Sequence, residues 1–94
     1  MEQELTQADK KKLRGIAQRM EPALSIGKQG LTESVLKEIV TALGRDELVK
    51  IRFNISGKPM LEMCQAIENQ THCTRVGNVG KTASFYKAKE EIEE

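Results

Sequence analysis

A chain of 94 residues is long enough for one domain with a single hydrophobic core. It contains no apolar run near the roughly 20 residues of a membrane-spanning helix. The N-terminus lacks the apolar stretch of a signal peptide, so we expect a cytoplasmic protein that does not act at a membrane. Six of the 14 acidic residues lie at the two ends, so residues 5–89 carry all 15 basic residues against eight acids. Such a basic body favours an anionic partner, although ordinary solubilising charge explains it equally well.

The first predicted helix begins at a polar cap and has one apolar face. Thr6 can cap it, and Asp9, three residues later, is a weaker form of the partner in a capping box. Gly15 lies nearly opposite the apolar face, either as a tolerated helix glycine or because a partner's backbone approaches closely there. The apolar face follows helical spacing, at Leu13, Ile16, Ala17 and Met20. The basic residues that project away from it are Lys11, Lys12, Arg14 and Arg19.

Pro22 ends this helix, and a short apolar strand at residues 23–26 leads into the tetrapeptide GKQG. A second helix follows, with Thr32 as its cap and Glu33 complementing the positive N-terminal end of the helix dipole. We expect Gly44 to end this helix. The residues expected to form its buried face are Val35, Leu36, Ile39, Val40 and Leu43.

Residues 48–54 form the clearest strand, because apolar Val49, Ile51 and Phe53 alternate with polar residues. A strand with one apolar face belongs to a sheet that buries one side and exposes the other. A doubly wound sheet would bury both faces and would read as a continuous apolar run. The alternation therefore predicts a single layer of helices.

The rest of the chain adds a third helix and a hairpin. The helix is expected at residues 60–69, with Leu61, Cys64 and Ile67 facing inward. Strands at residues 73–79 and 82–86 flank a two-residue turn whose first residue is glycine, which favours a type II′ hairpin. The element order helix–strand–helix–strand–helix–strand–strand predicts an α+β, two-layer α/β fold. Its four-stranded mixed sheet should have helices on one side.

The loop Gly27-Lys28-Gln29-Gly30 is the strongest candidate for a binding site. Its glycines let the backbone turn sharply and approach a ligand, while Lys28 adds charge and Gln29 can donate and accept hydrogen bonds. The helix N-terminus that follows offers free amides, so the segment suits a phosphate backbone, like the Gly-x-x-Gly loop of KH modules. On its own, the pattern is equally typical of a tight strand-to-helix turn.

The remaining motifs do not indicate catalysis. Gly80-Lys81-Thr82 resembles the end of a nucleotide-binding P-loop, but Arg75 stands where that motif requires glycine. We interpret Lys81 instead as a phosphate contact at a hairpin tip. One histidine, two cysteines at an unrelated spacing and no paired carboxylates in an apolar setting give no nucleophile–base pair and no metal site. We therefore expect a protein that is not an enzyme and has no cofactor or metal.

Several motifs together resemble one family. The run LRGIAQRMEPALSIGKQGLTESVLKEIVTALGRDELVKIRF and the later VGKTASFYK closely resemble the chloroplast RNA splicing and ribosome maturation (CRM) domain. Its small bacterial stand-alone members are called YhbY-like. The resemblance covers residues 5–87, which we expect to form the domain, between a disordered N-terminal tail (1–4) and an acidic C-terminal tail (88–94).

The resemblance implies a fold similar to the C-terminal domain of translation initiation factor three and a protein that binds RNA through the Gly-x-x-Gly loop. It implies a role in ribosome assembly on precursor RNA of the large subunit. We expect a monomer, with ribosomal proteins as possible further partners. The alternative is a protein-interaction module that docks on a ribosomal protein or assembly factor. The residues expected to contact RNA are Gly27, Lys28, Gln29, Gly30, Lys11, Lys12, Arg14 and Lys81.

Overall fold

The computed structural model describes residues 5–88 as a four-stranded sheet with three helices. The expected N-terminal tail, and all but the first residue of the expected acidic tail, lie outside the described residues. The elements are α1 (Gln7–Gln18), β1 (Leu24–Ile26), α2 (Glu33–Asp46), β2 (Leu48–Phe53), α3 (Lys58–Thr71), β3 (Thr74–Val79) and β4 (Thr82–Tyr86).

The four strands form one mixed sheet in the order β1-β2-β4-β3. β1 pairs in parallel with β2, with Ile26 beside Phe53, whereas β4 is antiparallel to both β2 and β3. In the β3–β4 turn, Gly80 has φ +58° and Lys81 does not have a positive φ. This combination is the pattern of a type II′ turn. The predicted α+β class, element order and mixed sheet are confirmed.

One face of the sheet packs against α2 and α3 and carries the main hydrophobic core. The alternating apolar residues of β2 point into this core as predicted, and each is at most 1 % exposed. Ile39 and Leu43 enter it from α2, and Cys64 and Ile67 enter it from α3. Because α2 follows β1 directly, its packing on the sheet holds the loop between them in place.

The prediction of helices on one side only is wrong, because α1 packs on the opposite face of the sheet. A second apolar cluster there joins Leu13, Ala17 and Met20 of α1 to Leu48 of β2 and Val76 of β3. On this face, β2 carries Leu48 at its start and the polar residues Lys50 and Arg52 after it. The apolar end is stabilised by burial, whereas the polar end can remain in contact with solvent. The helix covers the apolar end.

Two long basic side chains attach α1 to the sheet. Lys50 Nζ donates a hydrogen bond to the Met20 carbonyl at 3.1 Å, and so satisfies a carbonyl just beyond the C-terminus of the helix. Arg14 Nη1 donates to the Val76 carbonyl at 3.0 Å. Val76 is the extra residue of a β-bulge in β3, opposite β4. The segment is therefore attached to the sheet at Arg14 within the helix and at Met20 just beyond its C-terminus.

The helix ends confirm one sequence prediction and overturn another. Thr6 and Asp9 form a complete capping box, with hydrogen bonds of 3.0 and 3.1 Å in the two directions. Gly44 does not end α2, because the helix continues to Asp46 and stops at Glu47, which has φ +68°. A glycine inside a helix costs about 1 kcal/mol relative to alanine, and the packing of the preceding turn on the sheet offsets this cost.

Three residues that the periodicity assigned to buried faces are about half exposed. A helix touches a sheet along a narrow line, so residues at the edge of its apolar stripe remain in contact with water. These residues are Ile16, Val40 and Leu61, with 46–51 % exposure.

Candidate nucleic-acid interface

The loop between β1 and α2 is a compact turn with its two central side chains in solvent. The Gly30 amide donates to the Gly27 carbonyl at 3.0 Å, which closes a four-residue turn. Lys28 and Gln29 occupy its central positions and are exposed. The four predicted loop residues therefore form one unit, with a cation and an amide at its tip.

The two glycines of this loop have different roles. Gly30 has φ +73°, a conformation that residues with a Cβ rarely adopt, so the turn itself requires glycine there. Gly27 does not have a positive φ, and a Cβ built on it would meet nothing within 4 Å. The fold therefore does not account for Gly27, whereas close approach of a ligand's backbone would account for it.

The start of α2 presents free backbone amides beside this loop. Thr32 caps the helix, and its Oγ1 accepts a hydrogen bond from the Val35 amide at 3.2 Å. The amides of Glu33 and Ser34 have no hydrogen-bond acceptor among residues 5–88. Free amides and the positive end of the helix dipole favour an anion here, and the Glu33 carboxylate in the first turn partly opposes it.

The sheet topology brings two other segments to the same end of the domain. Ile26 at the end of β1 pairs with Phe53 at the end of β2, so the loop and the chain after β2 leave the sheet together. That chain enters α3 at Lys58. The Phe53 amide also donates to the Lys81 carbonyl at 2.7 Å, which places the β3–β4 turn beside it. Three connections therefore converge at one end of the sheet.

Four exposed cations lie at this end. Neighbouring strands are about 4.8 Å apart, so the path across the sheet from β1 to β4 is about 10 Å, a distance that long basic side chains bridge. Among residues 5–88, none of the four has a carboxylate within ion-pairing distance. We call this cluster the basic tip; its members are Lys28, Arg52, Lys58 and Lys81.

The structure does not bring the predicted α1 residues to the loop. Lys11 and Lys12 are exposed on α1, which packs over β2, β4 and β3, whereas the loop leaves the edge strand β1. Arg14 is engaged with the Val76 carbonyl of β3. The loop residues and Lys81 therefore share one end of the domain, and the three basic residues of α1 form a separate group.

Sequence reasoning missed two members of the basic tip. Lys58 had a local signal, because it lies between Gly57 and Pro59, and this pattern marks the start of a helix. Arg52 had only the signal of a polar position in an alternating strand. Its nearness to the loop depends on the parallel pairing of β1 with β2, where it lies beside Ser25.

Neither cysteine offers a nucleophile to this interface. Cys64 is fully buried in the main core, and Cys73 is 8 % exposed. Burial raises the pKa of both thiols, and this effect outweighs the opposing influence of Arg75 on Cys64 and of the Thr71 hydroxyl on Cys73. Both thiols therefore stay protonated at neutral pH, the form that is a poor nucleophile.

Within residues 5–88, no helix is long and apolar enough to cross a bilayer. These residues define a small α+β domain in which a Gly-x-x-Gly turn lies among unpaired cations at one end of a mixed sheet. The chain belongs to the CRS1 / YhbY (CRM) domain family, whose model matches residues 5–87. The resemblance seen in the sequence motifs is thereby confirmed.

Two relatives and one solved structure are similar to this chain. An "RNA-binding protein" of Haemophilus influenzae is 32 % identical over 88 residues, which cover 93 % of this chain and 89 % of the relative. A "Probable RNA-binding protein" of Pseudomonas aeruginosa is 32 % identical over 88 residues, covering 88 % of this chain and 81 % of the relative. A hypothetical protein of Staphylococcus aureus has a solution structure of the same fold, with a TM-score of 0.83 and 26 % identity, over 96 % of this chain and 95 % of its own.

Proposed function

We propose that this protein binds RNA through the basic tip and that its Gly-x-x-Gly loop contacts the phosphate backbone. The observation that carries the proposal is Gly27, an exposed turn residue at which neither the backbone nor any neighbouring atom requires glycine. A Cβ there would obstruct only a molecule outside the fold. Lys28 beside it supplies positive charge, and relatives named as RNA-binding proteins support RNA as the class of partner.

The tip is built to contact phosphates more than bases. All three aromatic residues of the chain, Phe53, Phe85 and Tyr86, pack into the two apolar clusters, so none forms an exposed stacking surface. Each phosphate that a cation neutralises releases counterions, with a log–log salt slope of roughly 0.7–0.9 per contact. The four cations of the tip therefore set an expected slope of about 3.

A matched pair of substitutions tests the proposal, with a labelled transcript of large-subunit precursor RNA as the probe. Lys28→Gln removes one charge from the loop, and Arg45→Gln removes one charge from the last turn of α2, about 18 Å of helix away. We expect Lys28→Gln to weaken binding and to lower the salt slope by about 0.7–0.9, while Arg45→Gln changes neither. Equal effects of the two substitutions would show that only net charge matters, and an unchanged Lys28→Gln variant would place the site elsewhere.

We infer further that the RNA is a precursor of the large ribosomal subunit and that the protein acts in ribosome assembly in the cytoplasm, as a non-catalytic monomer. The resemblance of the motifs to the YhbY-like members of the family supports this part of the proposal. Crosslinking in cells followed by sequencing of the attached RNA tests it. Enrichment of large-subunit precursor RNA is the expected result, and enrichment of messenger RNA would contradict it.

Docking on a ribosomal protein or an assembly factor is the second candidate function. Val40 of α2 and Leu61 of α3 favour this function. Both are about half exposed, and apolar side chains of this size add to a protein interface. Binding of this kind would survive nuclease treatment and high salt. Loss of all bound ribosomal proteins after nuclease treatment would leave RNA as the only supported partner.

A further inference from the structure

A shallow concavity of about 220 Å³ lies next to the basic tip, on the face of the sheet that α1 partly covers. α1 forms one wall, the β3–β4 hairpin forms the other, and β2 and β4 form the floor. Among the described residues, none that lines it is acidic. The polar side chains that line it are Arg14, Gln18, Lys50, Asn78, Thr82 and Ser84.

Arg14 is held in a fixed position at the wall of this concavity. Its guanidinium donates to the Val76 carbonyl at 3.0 Å, and its aliphatic stem lies across β3 at Gly77. A Cβ at Gly77 would collide with Cγ and Cδ of Arg14, so the arginine can lie there only because this residue is glycine. The side chain as a whole remains exposed, so the pinned guanidinium presents a flat cationic surface.

Ser84 presents a solvent-accessible hydroxyl in the floor. The residue is only 7 % exposed, and its hydroxyl has no hydrogen-bond partner among residues 5–88. None of the fully buried side-chain polar atoms among residues 5–88 lacks a partner, so this oxygen is in contact with solvent and is free to bond a ligand in the concavity. Thr82 beside it donates from Oγ1 to the Val79 carbonyl at 2.8 Å and keeps its oxygen lone pairs as acceptors.

We propose that this concavity binds one unpaired nucleobase of the RNA, with the Arg14 guanidinium as its stacking surface. Unpaired bases are recognised in this way, by stacking on aromatic or guanidinium planes and by hydrogen bonds to their polar edges. The amides of Gln18 and Asn78 and the Ser84 hydroxyl supply donors and acceptors for such an edge. The volume is below the roughly 300–1,000 Å³ of pockets that hold drug-sized ligands, which suits a single base.

The position of the concavity connects it with the basic tip, and the inference rests on the RNA binding proposed above. Thr82 in its floor pairs across the sheet with Arg52 of the tip, and Ser84 pairs with Lys50. An RNA chain whose phosphates contact the tip at Arg52 of β2 therefore reaches the concavity by extending across to the neighbouring β-strand, β4. The phosphate contacts would hold the RNA, and this site would add a preference for an unpaired nucleotide.

NMR titration of the full chain tests whether the site responds to a base. The probes are the four ribonucleoside 5′-monophosphates, with ribose 5-phosphate and inorganic phosphate as controls that lack the base. We expect at least one nucleotide to shift the backbone amide signals of Gly77, Asn78 and Ser84, and neither control to shift them. Equal shifts with inorganic phosphate would make this an anion site, and no shift with any nucleotide would also overturn the proposal.

Two substitutions that preserve net charge test the role of the guanidinium plane. Arg14→Lys keeps a cation but removes the plane, and Gly77→Ala displaces the arginine without altering it. Both should abolish the nucleotide-dependent shifts and weaken binding of the precursor transcript about 5-fold or more, the range for loss of one stacked base, with an unchanged salt slope. Gly44→Ala, on an exposed part of α2 where a Cβ meets nothing within 4 Å, is the control that should change neither.

The same measurements separate failure of this inference from failure of the proposed function. If Lys28→Gln lowers the salt slope while Arg14→Lys binds like the parent protein, RNA binding stands and the base site is refuted. If the transcript binds without salt dependence, the phosphate contacts of the tip are refuted. Amide dispersion in the spectrum of each variant shows whether it is folded, and the titration of the parent protein decides the question if a variant is not.

Discussion

Alanine substitutions at the two loop glycines should separate stability from binding. Gly30 has φ +73°, and a left-handed conformation costs a residue with a Cβ about 1–2 kcal/mol. Alanine also restricts the conformations of the unfolded chain, which by itself raises the free energy of unfolding by about 0.4–1 kcal/mol. Gly30→Ala should therefore lower the free energy of unfolding by about 1 kcal/mol. Gly27 has neither a positive φ nor an atom within 4 Å of an added Cβ, so Gly27→Ala should match or slightly exceed the parent protein in stability.

Thermal unfolding followed by circular dichroism measures the first half of this prediction. For a domain of this size, 1 kcal/mol corresponds to a shift in Tm of roughly 4–8 °C. Gly30→Ala should melt lower by about this amount, and Gly27→Ala should not. Urea denaturation at a single temperature gives the same comparison independently.

The second half of the prediction, the effect of the substitutions on RNA binding, is measured as affinity for the precursor transcript. If a phosphate backbone approaches the loop closely at Gly27, the methyl group of Gly27→Ala should weaken binding even though the fold is unaffected. Parent-like affinity in a fully stable Gly27→Ala variant would refute the reasoning, because an external ligand would then not explain this glycine. A large loss of stability in Gly27→Ala would refute the premise that the fold leaves the position free.

Three further predictions concern stability alone. His72→Gly should raise the free energy of unfolding by up to about 1 kcal/mol, because His72 ends α3 with φ +59°, and urea denaturation measures the gain. Gly44→Ala should raise it by about 1 kcal/mol through helix propensity, and a decrease would show an unseen contact at that position. Burial raises the pKa of the Cys64 and Cys73 thiols above 9.0, so the unfolded chain loses these protons at a lower pH than the folded protein does. These two thiols should therefore leave the free energy of unfolding unchanged below pH 9.0 and lower it as the pH rises above that value. Urea denaturation at pH 8 and pH 10 measures this fall, which should be smaller in Cys73→Ala than in the parent protein.

Most of the fold followed from local patterns. The capping box of Thr6 and Asp9, the cap at Thr32 and the turn glycine Gly80 depend only on neighbouring residues, and the structure contains all three. The end of α2 was harder to predict, because Gly44 is a typical terminator but the packing of α2 on the sheet extends the helix beyond it. The local preference of Gly44 favours ending the helix, whereas packing on the sheet favours continuing it. The helix continues because packing contributes the larger free energy.

The side of the sheet on which α1 packs was not predictable from its own sequence. An amphipathic helix shows which of its faces is buried but not which surface covers it. Leu48 was the available signal, since it is an apolar residue on the face that otherwise carries Lys50 and Arg52. A single apolar position at a strand end is too weak a pattern to indicate a second helical layer.

The Gly-x-x-Gly turn was visible in the sequence as a loop that could suit a phosphate, and that remains the basis of the proposed function. Sequence alone determined the turn itself and its place before a capped helix, because these features are set within a few residues. Tertiary structure decided which glycine the fold needs and which it does not, because φ and neighbouring atoms settle that question. It also gathered Lys28, Arg52 and Lys81 at one end of the domain, because strand order and register place residues that are distant in the chain side by side.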